Sequence, residues 1–235
     1  METNEPAVRH AAASAGAAVA EEWRRSCAAA FPAALAADAA AVAAAVAAVM
    51  PAPRYGPAGT FPVVVQGDRL AIPGRLYNDE PTAAASAPLS ARRRQLLHCL
   101  YSRHWDGRVR QRHLRMIAGS TDPWAVPYVV QPAGEYVVEI LRDLRRALRV
   151  VTGPGHPGRL VYGRFLADNP AFFARTQRRV VSYWSCYHRL AYPGFHDFPG
   201  SAVIELLRAA ASEVAGHAPP RVTPRPAPRA AGARP

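Results

Sequence analysis

Residues 96–148 read LLHCLYSRHWDGRVRQRHLRMIAGSTDPWAVPYVVQPAGEYVVEILRDLRRAL. Apolar residues recur here at helical spacing, broken by short polar turns. Leu96, Leu97, Leu100 and Tyr101 make one apolar face, and Ser90 upstream is placed to cap that helix. Asp106 stands before a second helix, Arg108 to Ala118, with Val109, His113 or Leu114, and Ile117 inward. Asp122-Pro123 reads as a further start signal, a cap followed by proline at the first helical position. From Glu135 the pattern predicts a long amphipathic helix. Tyr136, Val137, Ile140, Leu141, Leu144 and Leu148 lie on one side, with Glu139, Arg142, Asp143, Arg145 and Arg146 opposite.

Outward from this stretch the chain stays helical, with one exception. Alanine, the strongest helix former, dominates Glu21 to Met50, where Trp23, Cys27, Phe31 and Leu35 fall four apart. Pro51 to Pro62 reads as a connector. Two β-branched runs within Val63 to Pro73 flank Gly67-Asp68 and predict a small hairpin at 63–73. Asn169-Pro170 opens a basic amphipathic helix over 170–190. Phe173, Val180, Val181, Trp184 and Tyr187 lie on one face, and Arg175, Arg178, Arg179, Ser182 and Arg189 on the other. Ser201 is read as the cap of a last helix, Ala202 to Ala215. Residues 1–18 and the tail 216–235, with six prolines, four arginines and no acid, read as disordered. The span 19–215 reads as a single helical domain with 89–149 as its core.

All 29 basic residues are arginine and the net charge is +12. A GC-rich codon bias accounts for part of this, and the remainder gives a surface attractive to nucleic acid or to acidic partners. Three cysteines, far apart and without CxxC spacing, suggest neither a disulfide framework nor a zinc site. The N-terminal residues do not read as a secretory signal, and no run of about 18 strongly apolar residues is present. The expected setting is cytoplasmic, away from the membrane.

Asp106-Gly107-Arg108-Val109-Arg110, with Leu114 and Ile117, resembles the second helix of a HEAT-type repeat. The resemblance covers about 30 residues. In that family an aspartate caps the helix, a valine points inward and the next arginine lies along a polar ladder. It implies structural roles for Asp106, Val109 and Arg110. The chain also resembles a bacterial family marked by "IP-GR-YN", "RH-DG-VRQR-L", "GEYVVEIL" and "RVVSYW-CY" segments, matched at 72–78, 103–114, 134–141 and 179–187. His113 stands where a small residue usually packs in the repeat, and no second D-x-x-V-R occurs. The expected fold is therefore mostly α, an irregular antiparallel HEAT-like domain with one recognisable repeat.

No motif names a chemistry. The loop TGPGHPGR, Thr152 to Arg159, has glycines but lacks GK[ST], and its prolines lack the N–H groups a phosphate cradle uses. His98, Cys99, His104, His113 and His188 show no metal-ligand spacing. Glu135 and Glu139, four apart, would suit acid–base work only if a pKa were raised; if Glu135 is buried, its expected role is structural, holding Arg110 or another arginine. The arginines carry more weight. Arg108, Arg112 and Arg115 share one helical face beside Arg103, His104 and Trp105, and Arg175, Arg178 and Arg179 share another. Arginine interleaved with aromatics is what phosphate contact with base stacking needs. Three readings result. The first is a non-enzymatic scaffold that binds another protein beside the 101–115 loop and helix. The second is a nucleic-acid-binding domain, and the third a small-molecule enzyme using Glu135 and Glu139. No catalytic residue, metal or cofactor is assigned.

Overall fold

The computed structural model describes Ala18, residues 21–47 and residues 59–225. The disorder expected of 1–17 and 226–235 and most of the 51–62 connector lie outside the described residues. The chain is mostly helical with a small two-stranded antiparallel sheet. Among the described residues no helix is long and apolar enough to cross a membrane. The chain divides into two compact units, Met1–Val130 and Gln131–Pro235.

The first unit opens with helix α1 (21–29) and α2 (Ala36–Ala47). Trp23, Cys27, Phe31, Val42 and Val46 are buried. Pro32 separates the two helices, and the Trp23 indole donates to Ala43 O at 3.2 Å. Strands β1 (Thr60–Val65) and β2 (Asp68–Pro73) follow, pairing Val65 with Asp68 and Thr60 with Pro73. The turn is Gln66-Gly67, both at positive φ, one residue earlier than the Gly67-Asp68 read from sequence. This register keeps Phe61, Val63, Val65, Leu70 and Ile72 together on the buried face. Strand β1 also starts inside the expected connector and tolerates Pro62. Counting from the closing pair, Pro62 opposes Ala71 at a non-hydrogen-bonded position, where no ladder N–H is lost.

After the short α3 (Ala83–Ser86) comes α4 (Ala91–Tyr101), capped by Ser90 as expected. Helix α5 (Gly107–Ile117) is capped by Asp106 and packs on α4. The helical start expected at Asp122-Pro123 is delayed to α6 (Val126–Val130), whose five residues are all buried. Tyr128 stacks on Phe31 at 5.5 Å and donates its hydroxyl to Ala30 O at 2.8 Å.

The second unit begins with a buried 3-10 turn, Gln131–Gly134, and then α7 (Val138–Val151). The helix expected from Glu135 therefore starts three residues later, with extended Val137 as its N-cap. Helix α8 (Gly158–Asp168), absent from the sequence reading, begins inside the expected 152–159 loop. It packs on α10 (Pro199–Ala215), and Gly163 sets the approach, because a Cβ there would overlap Ala210 O and the Val214 side chain. Helix α9 (Pro170–Tyr183) ends in a π turn, Trp184–His188, rather than running to 190 as one α-helix. Phe198, not Ser201, is the N-cap of α10; Ser201 is buried in its first turn. Gly216, at φ 72°, closes α10.

Residues 217–225, expected to be loose, are tied down. Pro220 O accepts from Gln177 at 3.1 Å and Arg208 at 3.0 Å, and the Val222 N–H donates to Gln177 Oε1. Arg221 pairs with both oxygens of Glu205. Gln177 and Arg208 are buried, so their polar groups require these partners.

Candidate binding surfaces

In the first unit the turn after α4 is built inward. Asp106 Oδ1 accepts from the Arg108 N–H at 2.7 Å, and this bond holds its carboxyl below the usual range. His104 Nδ1 accepts from the Asp106 N–H at 3.1 Å, so Nε2 carries the proton and donates to Asn78 O at 2.9 Å. Burial lowers the His104 pKa, which keeps this tautomer neutral. Arg110 donates to His104 O and Trp105 O at 2.9 and 2.8 Å, and Arg103 donates to Gly74 O at 2.7 Å. Both arginines are 1 % exposed. Arg103 and His104, read from sequence as surface binding groups, are thus interior staples that fix the turn and the hairpin end.

A second chain of bonds joins α4, α5 and the 77–80 segment. His113 Nε2 donates to Glu80 Oε1 at 2.7 Å, which leaves its Nδ1 to accept from His98 Nδ1–H at 2.9 Å. Glu80 also pairs with Arg112. Burial, then His113 and Arg94, push the His98 pKa down to about 4, and burial lowers that of His113. Both rings are therefore neutral at pH 7, as this directional arrangement requires. Tyr101, on the apolar face of α4, is buried, with its hydroxyl donating to Asp79 O at 2.7 Å. Among the described residues no group of three or more His, Cys, Asp or Glu is arranged to hold a metal.

Of the set proposed in this unit, Trp105, at 56 % exposed, faces solvent, as do Arg108 and Arg115. Arg112 is exposed but committed to Glu80. Val109 is buried under the turn.

The second unit carries the other arginines, Arg175, Arg178 and Arg179, and adds Tyr136 and Tyr187, whose spacing predicts an inward face, together with Tyr183. Tyr136, Tyr183 and Tyr187 form a triangle with centroids 5.9, 6.0 and 6.0 Å apart. Tyr136 is 49 % exposed, Tyr187 68 % and Leu190 fully exposed. The late start of α7 releases Tyr136 from the helical face. His188 Nε2–H fixes its backbone by donating to Tyr136 O at 2.7 Å, while the His188 ring stacks on Phe198. The π turn shifts the register after Val180, so Tyr187 leaves the buried face that holds Phe172, Phe173, Thr176 and Gln177. Arg179 lies over Tyr183 at 5.8 Å and along Gly134; Arg175 and Arg178 are exposed. The i, i+4 pair Tyr183 and Tyr187 was the available sequence signal for this surface.

Glu135 is buried at the 3-10 end and Glu139 lies in the first turn of α7, so the two do not share a helical face. A shallow groove of about 310 Å³ between α7 and α10 is lined by Arg145, Arg149, Ala202, Glu205, Leu206 and Ala209, and includes neither Glu135 nor Glu139. Comparison of the chain with protein-family models, curated proteins and solved structures returned no match.

Proposed function

We propose that this chain is a non-enzymatic helical binding module that docks another protein through the Tyr136–Tyr183–Tyr187 surface, with Leu190 and the arginines of α9 at its edge. The observation that carries the reading is the exposure of Tyr136 and Tyr187 within that triangle, with the fully exposed Leu190 following in the chain. Tyrosine and arginine are the residue types that dominate protein hot spots, and they lose little conformational freedom when a partner covers them. The three rings pack on one another as a continuous patch, and a fully exposed leucine adds apolar area without a face for base stacking. Both features favour a protein partner.

Nucleic acid is the second reading. It rests on Arg175 and Arg178, which are exposed and make no ion pair among the described residues. The pairing of α4 and α5 through the Asp106-capped turn is consistent with the HEAT-like expectation, which we carry in the same proposal. We place the protein in the cytoplasm, where its three unpaired cysteines would stay reduced.

The test replaces Tyr187 with a photo-crosslinking phenylalanine derivative in cells of the source organism, followed by nuclease treatment. A discrete protein adduct that survives nuclease, and that Leu190→Ser removes, supports the reading. Adducts that vanish with nuclease overturn it in favour of nucleic acid. In that case oligonucleotide affinity should fall steeply with salt.

A further inference from the structure

The groove between α7 and α10 has a composition that the core does not require. Helix α10 already buries Val203, Ile204, Leu207, Ala210 and Ala211. Ala202, Leu206 and Ala209, at i, i+4 and i+7, form a neighbouring stripe that stays partly or fully exposed and floors the groove. Along its wall stand Arg145 and Arg149, one turn apart on α7. Both are exposed, and neither makes an ion pair or hydrogen bond among the described residues. The one carboxylate lining the groove, Glu205, is held by Arg221 through two bonds of 2.6 and 2.8 Å. The groove therefore offers two uncompensated guanidinium groups above an apolar floor.

Proximity to the α7 C-terminus helps to accommodate Arg149, whose charge complements the helix dipole. It does not account for a half-exposed leucine flanked by alanines beside both arginines. We propose that this groove is a second docking site, and that its occupant is an acidic peptide segment of a partner. Carboxylates of the segment pair with the planar forks of Arg145 and Arg149, and its aliphatic side chains cover Leu206 and Ala209. The groove is shallow and open, which suits an extended segment rather than an enclosed small molecule. The site uses none of the α9 tyrosines and stands apart from the reading above.

The test is fluorescence anisotropy on the full chain with a labelled peptide of alternating glutamate and leucine, at low and physiological salt. The expected result is saturable binding, with affinity at least about tenfold weaker in Arg145→Ala/Arg149→Ala. Ala209→Glu should weaken it as well. Arg175→Ala/Arg178→Ala, which also removes two charges, and Tyr187→Ala should leave it unchanged, and a glutamine–leucine peptide should not bind. Absence of wild-type binding overturns the proposal. So does an equal loss in Arg175→Ala/Arg178→Ala, which would mean that net charge alone attracts the peptide. Tighter groove-dependent binding of oligothymidylate than of the peptide would overturn the choice of occupant. Circular dichroism of each variant separates these outcomes from misfolding.

Discussion

The two units use the same residue types in opposite ways. In the first, Arg103, His104, Arg110 and His113 are buried and donate to backbone carbonyls and to Glu80. In the second, Arg175, Arg178, Tyr136 and Tyr187 face solvent around a π turn. A dense run of arginine, histidine and aromatic residues thus marks a polar interior in one place and a surface in the other. What separates them is local geometry: the tight Asp106 turn folds its side chains back on its own carbonyls, while the π turn rotates its side chains outward.

The largest expected effects come from the buried arginines. Arg110→Met should destabilise the chain by about 2–4 kcal/mol in urea unfolding, because His104 O and Trp105 O lose their donor while remaining interior. Arg175→Met, the matched change in the second unit, should stay within about 0.5 kcal/mol. Equal losses would collapse the contrast between interior and surface arginine. Next in size is Gly163→Ala, expected to lose about 1–3 kcal/mol by forcing α8 from α10, with a lower melting temperature as the readout.

Acid should act on the first unit through its histidines. His98, with a folded pKa of about 4 against an unfolded value near 6.5, is neutral when folded and takes up a proton more readily when unfolded. Its contribution is therefore present above pH 6.5 and lost as pH falls toward 4. His104 and His113 shift the same way. Because His98 is partly exposed, its own share of this loss is on the order of 1–3 kcal/mol. Unfolding midpoints measured from pH 7 to pH 4 should show this slope, and His98→Gln should flatten it. A variant as steep as wild type would mean that the chain joining His98 to Glu80 does not form.

The sequence revealed those features whose causes are local. Ser90 and Asp106 cap their helices, Leu96 to Tyr101 line the core, and the β-branched runs pair as a hairpin. It hid features set by contacts distant in the chain. Helix α8 is short and weakly amphipathic, and its place depends on Gly163 meeting Ala210. The segment 217–225 looks disordered by composition, yet it supplies carbonyl and amide partners to Gln177 and Arg208. Tyr136 and Tyr187 fit an apolar helical face by spacing. The late start of α7 and the π turn, which neither propensity nor periodicity reports, place them outside.

The smallest effect on stability should accompany the largest effect on binding. Tyr187→Ser and Leu190→Ser should each change unfolding free energy by less than about 0.5 kcal/mol. The most direct measurement compares Tyr187→Ser with Trp105→Ser, the exposed aromatic of the first unit, for retention of the nuclease-resistant partner at unchanged melting temperature. The predicted result is loss of the partner in Tyr187→Ser and retention in Trp105→Ser. Loss in Trp105→Ser with retention in Tyr187→Ser would return the binding surface to the 101–115 turn and contradict its placement on the second unit.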